Sequence, residues 1–343
     1  MGTVASPRLP RPRGPASDAV ITALAEWSPG NWYTHSPRRR AAGDATAARL
    51  RPDPMGADLQ LALFVCYELH YHGFAGVDPG WEWDPDLLDL RGRLERQFLD
   101  RLRAGTKGGT DAVAVLDRLA VEPVDGGGLS QFLAERGAWE QMREFFVHRS
   151  LYHLKEADPH AWVIPRLAGT AKAALVAVEF DEYGGGRAER MHATLFADLM
   201  SAAELNPEYL AYLDRVPPES LATVNLMSMC GLHRELRGAL VGLFAAAEIT
   251  TAPSARRIVA ALDRLDAPQA CKHFYAEHIE ADAVHEQVLR HDVVGSLLRD
   301  EPTLAADVVF GVEASELLEQ RLVDQLLGRW SKGWSSLLPV GAR

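Results

Sequence analysis

The chain has 343 residues, 47% of them hydrophobic, which is enough for one large or two ordinary domains with a sizeable core. The formal net charge of −11 argues against nucleic acid and against an anionic membrane surface as the main partner, because both require a basic face. The three cysteines are odd in number and widely spaced, which indicates a reducing compartment and no disulfide framework.

The N-terminal third divides into two predicted parts. Residues 1–55 are rich in Pro, Arg, Gly and Ala, which predicts a disordered or loosely packed arm. The arm lacks the apolar stretch of a secretory signal, and no uninterrupted apolar run has the length of a membrane span, so we expect a cytoplasmic protein without membrane association. Residues 56–128 contain helical patterns at 57–74 and 83–105 and form a predicted N-terminal helical extension.

From residue 129 to residue 330 the pattern is almost continuously helical, and residues 331–343 form a predicted C-terminal tail. The predicted helices include 207–214, 231–250 and 254–264, and Pro253 is expected to separate the last two. Runs with the two-residue alternation of strands are scarce, and no glycine-rich phosphate-binding loop is present. The fold class is therefore all-α, a helical bundle.

The most informative motif is formed by His278, Asp282 and His285, at spacing i, i+4, i+7. On a helix with 3.6 residues per turn these side chains lie on one face. Two imidazoles and a carboxylate that point the same way provide half of a metal site. The other half must come from elsewhere in the chain.

Glu248 is the first candidate for the other half. It lies in the longest apolar stretch and is the only ionisable residue between Arg237 and Arg256. A carboxylate on such a face requires a compensating cation. A metal ion provides one, and the alternative is an ion pair with Arg256 or Arg257.

Glu182 and His192 are the next candidates, with Glu179 and Asp181 as rivals to Glu182. Ten residues of unbroken helix would separate Glu182 and His192 by about 15 Å, whereas two ions of one site lie about 3.5–4 Å apart. The glycines at 184–186 supply the helix break that a shared site requires.

Glu189 offers a competing arrangement. Glu189 and His192 form E-x-x-H, the motif of ferritin-like bundles, and Asp282 and His285 then form a D-x-x-H counterpart. Arginines on both sides of Glu189 indicate a solvated face, which favours Glu182.

An earlier helix must add the last carboxylate. The segment 140–162 offers Glu140, Glu144 and Glu156, and spacing alone does not choose among them.

Taken in order, Glu182, His192, Glu248 and the H-x3-D-x2-H motif at 278–285 resemble the haem-oxygenase-like di-iron oxidases and oxygenases. The strings YHLKEADPHAW, FDEYGGGRAERMH and EADAVHEQ further resemble the iron-containing redox enzyme branch of that family. The resemblance covers about residues 130–330, and the ordered set is far more specific than the motif alone.

The resemblance implies a haem-oxygenase-like seven-helix bundle over 129–330 that holds two irons instead of haem, with O2 as co-substrate and a mobile helix carrying His192. It also favours Glu156 as the first carboxylate, by its spacing from Glu182. The predicted metal ligands are Glu156, Glu182, His192, Glu248, His278, Asp282 and His285.

The resemblance implies an oxidoreductase that activates O2 to oxidise a small molecule, an amine- or carboxylate-bearing metabolite, by N-oxygenation or oxidative C–C cleavage. An external electron donor and a homodimer are compatible with this function. The alternatives are a non-catalytic iron-binding bundle, a ferritin-like protein that uses Glu189 and His192, and a haem protein that uses His148, His153 or His160. Haem is disfavoured because four buried carboxylates would then have no partner.

Overall fold

The structure, a computed structural model, describes residues 6–26, 28–29, 52–121 and 128–339, apart from the side chains of residues 280–283. Its α-helices are α1 (Pro15–Glu26), α2 (Ala57–Glu68), α3 (Pro85–Gly105), α4 (Ala112–Ala120), α5 (Leu129–Glu135), α6 (Trp139–His153), α7 (Asp158–Ala161), α8 (Gly169–Glu182), α9 (His192–Ala202), α10 (Pro218–Leu232), α11 (Arg237–Arg264), α12 (Gln269–Gln287), α13 (Gly295–Asp300) and α14 (Ala305–Trp330). A π-helical segment, Val288–Val294, joins α12 to α13. Short 3-10 helices lie at Pro79–Trp83, Ile164–Arg166, Gly184–Gly186, Ala188–Arg190, Leu213–Arg215, Arg234–Leu236 and Pro302–Leu304. The described ranges contain no strand, so the predicted all-α class is confirmed.

Helix α11 lies at the centre of the bundle. Its most extensive contacts are with α12 and α14, and it also packs against α5 and α10. Within the described residues, the helical stretch Arg234–Arg264 is the one long and apolar enough to cross a membrane, but 72% of its most apolar window is buried inside the protein. Its apolar character is therefore that of a bundle's core helix.

Two predictions about helix boundaries were wrong. Helix α11 continues through Pro253, because residues on both sides of the proline, such as Ile249 and Ala255, are buried, and this packing outweighs the lost backbone hydrogen bond. Residues 207–212 form turns instead of the predicted helix. Leu210 has a φ of +58°, which is incompatible with a right-handed helix.

Helices α11 and α14 cross with their backbones in direct contact. Gly242 of α11 faces the carbonyl group of Val308, and Gly311 of α14 faces the carbonyl group of Ala239. A Cβ at either glycine would overlap the opposing backbone, so only glycine permits this crossing. The crossing fixes the position of α11, which carries Glu248.

Part of the predicted arm is ordered. Residues 15–26 form α1, and Ala16, Val20 and Leu24 are buried against α2. The N-terminus of α1 is capped from a neighbouring helix, since the Asp58 carboxylate accepts hydrogen bonds from the backbone N–H groups of Ala16 (2.9 Å) and Ser17 (2.7 Å). This cap is remote in sequence, and the prediction of a disordered or loosely packed segment was wrong for these residues. The arm residues 1–5, 27 and 30–51 lie outside the described part of the chain.

The helical extension shares its core with the bundle. Every residue of α2 from 59 to 68 is buried, and α2 packs against α10 as well as α1. Helices α3 and α4 contact α14, and α4 also contacts α11. Leu61 and Phe64 therefore belong to the same apolar cluster as Leu240 of α11.

Candidate metal centre

Three side chains from separate parts of the chain form the first cluster of ligand-type groups, here called group A. Glu156 lies in the turn between α6 and α7, His192 is the first residue of α9, and His278 lies in the middle of α12. One oxygen or nitrogen atom from each lies within 4.8 Å of the other two, and all three residues are buried.

Three further side chains form group B, with the same spacing and burial. Glu182 is the last residue of α8, Glu248 lies in α11, and His285 lies in the last turns of α12. The Nδ1 atom of His285 lies 3.1 Å from Oε2 of Glu248 and 3.5 Å from Oε1 of Glu182. A single cation between them would contact all three residues.

The two groups touch each other. His192 Nδ1 of group A lies 2.7 Å from Glu182 Oε2 of group B. His278 and His285 lie two turns apart on α12, and each belongs to one group, as expected for residues that share a helix face. The six side chains therefore form one continuous buried site enclosed by α8, α9, α11 and α12.

A tight turn brings the ends of α8 and α9 together. Gly184, Gly185 and Gly186 all have positive φ, at +70°, +62° and +79°. A Cβ on Gly184 would lie 2.6 Å from the backbone of Arg190 and of Met191, so this position excludes every other residue type. The predicted helix break between 182 and 192 is confirmed, and it places His192 beside Glu182.

The orientation of His278 is set by a backbone hydrogen bond. Its Nδ1–H donates to the carbonyl oxygen of Phe274 at 2.8 Å, which directs Nε2 toward the site. This Nε2 lies 3.9 Å from Oε1 of Glu156. Two ligand atoms that each lie about 2.1 Å from one ion are separated by about 3–4 Å, so the spacing suits a shared metal ion.

The carboxylates of the site differ in their electrostatic surroundings. Burial alone would raise the pKa of Glu156, but the charge and hydrogen bond of His153, with a contribution from His278, bring it well below its ordinary value. Burial raises the pKa of Glu248, and the charge of Glu182 adds to this rise, although His285 opposes it. A bound cation would relieve the repulsion between Glu182 and Glu248.

His285 supplies the compensating positive charge when no metal is bound. Burial would lower its pKa, but the hydrogen bond and charge of Glu248, together with Glu182, raise the pKa to about 9. The imidazole is therefore protonated at neutral pH, and a metal ion must displace that proton in order to bind.

The donor set fits iron. Groups A and B contain imidazole nitrogen and carboxylate oxygen and no thiolate, which is the ligand chemistry of non-haem iron centres. The cysteines at 66, 230 and 271 are buried outside both groups, and burial raises the pKa of each thiol.

Glu179 is a further buried carboxyl group beside the site. It lies one turn before Glu182 on α8, it is 2% exposed, and neither of its oxygens has a hydrogen-bond partner among the described residues. Burial, with the charges of Glu182 and Glu248, raises its pKa to about 9. Glu179 therefore holds a proton at neutral pH in the metal-free protein.

Replacing Glu179 with glutamine is expected to flatten the pH dependence of stability of the metal-free protein. The folded-state pKa of Glu179 exceeds the unfolded value, so its contribution to stability is complete below about pH 4.5 and is lost as pH rises through about 9. The free energy of unfolding of the wild type should fall relative to Glu179→Gln by about 1 kcal/mol per pH unit between pH 6 and 8. Urea denaturation at about pH 6 and at about pH 8 measures this difference in the free energy of unfolding. The exposed Glu189→Gln variant should follow the wild type, and parallel curves for the wild type and Glu179→Gln would contradict the prediction.

Two contacts of the site were not predicted from the sequence. His153 Nδ1 lies 2.8 Å from Oε2 of Glu156, and Asp181 Oδ2 lies 3.3 Å from Nε2 of His285. Both follow from local spacing, since His153 stands three residues before Glu156 and Asp181 stands next to Glu182. Orienting partners of this kind are typical of metal ligands.

Two of the rival carboxylates, Glu144 and Glu189, belong to neither group. The carboxylate of Glu144 accepts hydrogen bonds from the indole N–H of Trp330 (2.7 Å) and from the backbone N–H of Ser336 (2.8 Å), and so fastens the C-terminal tail to α6. Glu189 is exposed in a 3-10 turn before α9. The side chain of Asp282 lies outside the described residues, so its role as a ligand stays a prediction, as do the ligand roles of the six converging residues.

The histidines considered for haem have other surroundings. His148 is buried between the hydroxyl groups of Ser220 and Ser336, each at 2.8 Å, and burial lowers its pKa to about 3. His160 stacks on Phe244 with ring centroids 4.1 Å apart, and burial lowers its pKa to about 4.

Comparison with known proteins identifies the family of the chain. The family described as "Iron-containing redox enzyme" matches residues 143–320, just over half of the chain. A nitrosourea synthase from Streptomyces achromogenes subsp. streptozoticus is 24% identical over 287 residues, which are 83% of this chain and 53% of that protein. The chain thus spans about half the length of this curated relative.

The matched region contains all six converging residues, from Glu156 to His285. The chain belongs to the iron-containing redox enzyme family.

Proposed function

We propose that this protein is a non-haem di-iron oxidase or oxygenase that uses O2 to oxidise a small molecule. The observation that carries the proposal is the pair of buried ligand groups joined by the 2.7 Å contact between His192 and Glu182. Two metal ions of one catalytic centre lie about 3.5–4 Å apart, and adjacent groups in contact suit that separation.

The charges of the proposed ligands balance two divalent ions. The four carboxylates are Glu156, Glu182, Glu248 and Asp282, and the three imidazoles are His192, His278 and His285. Four negative charges neutralise two Fe(II) ions, which makes a buried centre electrostatically acceptable. Iron bound here would supply the electrons and the open coordination positions for reaction with O2.

The surrounding residues hold the ligands and exclude water. The carbonyl group of Phe274 fixes the tautomer of His278, and His153 orients the carboxylate of Glu156. Phe274 and Phe196 form an edge-to-face pair with centroids 5.0 Å apart, and both are buried beside the imidazoles. This apolar wall keeps solvent away from the reacting centre.

We further propose that the substrate carries an amine-type nitrogen that is oxidised. A nitrosourea contains an oxidised nitrogen, and the name of the Streptomyces relative refers to its synthesis, which supports nitrogen oxidation for this chain as well. An external electron donor would return the irons to the reduced state.

Anaerobic loading with Fe(II), followed by a pulse of O2, tests the proposal. We expect two irons per chain, consumption of O2 and a transient absorption in the visible region. Two bound irons that consume no O2 would instead support the non-catalytic iron-binding alternative, and binding of fewer than two irons would contradict the di-iron proposal. Addition of candidate amines during the pulse then identifies substrates by an increase in O2 consumption.

A further inference from the structure

Glu156 lies in a turn outside the helices, so its position depends on the contacts of that turn. Residues 154–157 form the turn between α6 and α7, so Glu156 lacks the regular helical hydrogen bonding that holds the other described ligands. The turn is closed by backbone hydrogen bonds from Lys155 N–H to Tyr152 O (2.8 Å) and from Asp158 N–H to Lys155 O (2.9 Å). Turn residues are held less rigidly than helix residues, and a metal ligand requires a fixed position.

A buried ion pair fastens this turn to the N-terminal extension. Lys155 Nζ donates to Oε2 of Glu68 at 3.0 Å, and the two side chains are 1% and 0% exposed. Glu68 also accepts hydrogen bonds from the Tyr209 hydroxyl (2.8 Å) and from the backbone N–H of His72 (3.3 Å). The carboxylate is therefore held by three separate segments of the chain.

Aromatic rings enclose the ammonium group on its other sides. Lys155 Nζ lies 4.0 Å from the centroid of the Tyr71 ring and 5.2 Å from that of Phe64. Both rings belong to the N-terminal extension, and such contacts favour a cation. Lys155 is thus bound almost entirely by residues outside the matched segment 143–320, while the adjacent Glu156 faces His153 and His278.

Stability alone does not account for this arrangement. A buried ion pair is often no more stabilising than apolar residues of similar volume, because desolvation offsets most of the attraction. Ion pairs and polar contacts of this kind are best known for fixing one arrangement of the chain among several. The adjacent ligand Glu156 is the group whose position this pair would fix.

We propose that the Lys155–Glu68 ion pair positions Glu156 for metal binding, so that the N-terminal extension contributes to metal affinity at the iron site. Lys155 and Glu68 are positioning residues in this proposal, since neither belongs to group A or group B. The proposal rests on the proposed function in one respect only, namely that Glu156 is a metal ligand.

Cobalt binding to the metal-free protein tests the proposal without reference to activity. The Lys155→Met/Glu68→Gln double variant removes both charges together; the amide oxygen of glutamine can accept from the His72 N–H, and its NH2 group can donate to the Tyr209 hydroxyl. We expect its metal-free form to melt within about 4 °C of the wild type. In a Co(II) titration followed by visible absorption, the affinity of one of the two ions should fall by about 10- to 100-fold, the range known for orienting partners of metal ligands.

The matched control removes a second ion pair, on the helix that precedes the turn. Arg149 of α6 binds Glu319 through two hydrogen bonds, at 2.8 and 2.7 Å. The Arg149→Met/Glu319→Gln variant should bind both cobalt ions as the wild type does. Unchanged affinities in the Lys155 variant, an equal loss in the control, or a large fall in the melting temperature of the Lys155 variant would each overturn the proposal. A wild type that binds fewer than two cobalt ions would instead contradict the proposed di-metal site itself.

Discussion

Replacing Glu182 with alanine is expected to abolish binding of both iron ions. Glu182 is the residue whose carboxylate touches both groups, with Oε2 2.7 Å from His192 Nδ1 and Oε1 3.5 Å from His285 Nδ1. Its removal takes a ligand from group B and leaves the His192 imidazole without its carboxylate neighbour. Because the loss of a mere orienting partner costs about 10- to 100-fold in metal affinity, we expect a loss of at least about 100-fold for each ion.

The matched variant is Glu189→Ala, which changes the same residue type in an exposed turn between the glycines and α9. Iron content after anaerobic loading and gel filtration, together with circular dichroism, measures both variants. Glu189→Ala should retain two irons, and both proteins should stay folded. Loss of iron from Glu189→Ala with retention by Glu182→Ala would favour the ferritin-like arrangement, in which Glu189 and His192 form the E-x-x-H motif.

Replacing Gly184 with alanine is expected to disrupt the site through the backbone. A residue with a side chain at φ of +70° costs about 1–2 kcal/mol. The added Cβ would also lie 2.6 Å from the backbone of Arg190 and Met191, and overpacking of this kind costs a further 1–3 kcal/mol or so. The segment before α9 must move to relieve this contact, and His192 moves with it.

Gly185→Ala is the control for this substitution. Gly185 has a similar φ of +62°, but a Cβ there would meet only the ring of Phe180, at an ordinary 3.8 Å. Both variants should lose stability from backbone strain, whereas Gly184→Ala alone should lose iron. Urea denaturation gives the stability of the metal-free proteins, and iron content gives the binding. Equal iron contents in the two variants would contradict the role of the close contact.

Local signals were sufficient to predict much of the fold. The 3.6-residue apolar period predicted an all-α protein, and the glycines at 184–186 predicted the break between α8 and α9. The prediction failed at Pro253, where a buried helix continues, and at 15–26, where a helix is capped by the remote Asp58 carboxylate. At Pro253 tertiary packing outweighed local propensity, and at 15–26 burial against α2 and the remote cap order the segment.

The candidate site likewise combines features that local sequence predicts with features that packing decides. His278 and His285 share a face because of their spacing alone, and the isolated charge of Glu248 in an apolar stretch required a compensating group. The spacing of three residues between His153 and Glu156 was compatible with their contact, whereas the pattern contained no signal that Glu144 would fasten the C-terminal tail. The role of Glu144 depends on which segments become neighbours.

The sequence by itself determined the helical class, the face shared by the α12 imidazoles and the types of ligand available, because periodicity and residue chemistry are local properties. Only the tertiary structure decided which carboxylates meet those imidazoles and which serve elsewhere. Two groups form a metal site only when their atoms lie within a few ångströms, and that distance is set by packing. The crossing of α11 and α14, the turn at Gly184 and the contact of α2 with Lys155 are packing features of this kind.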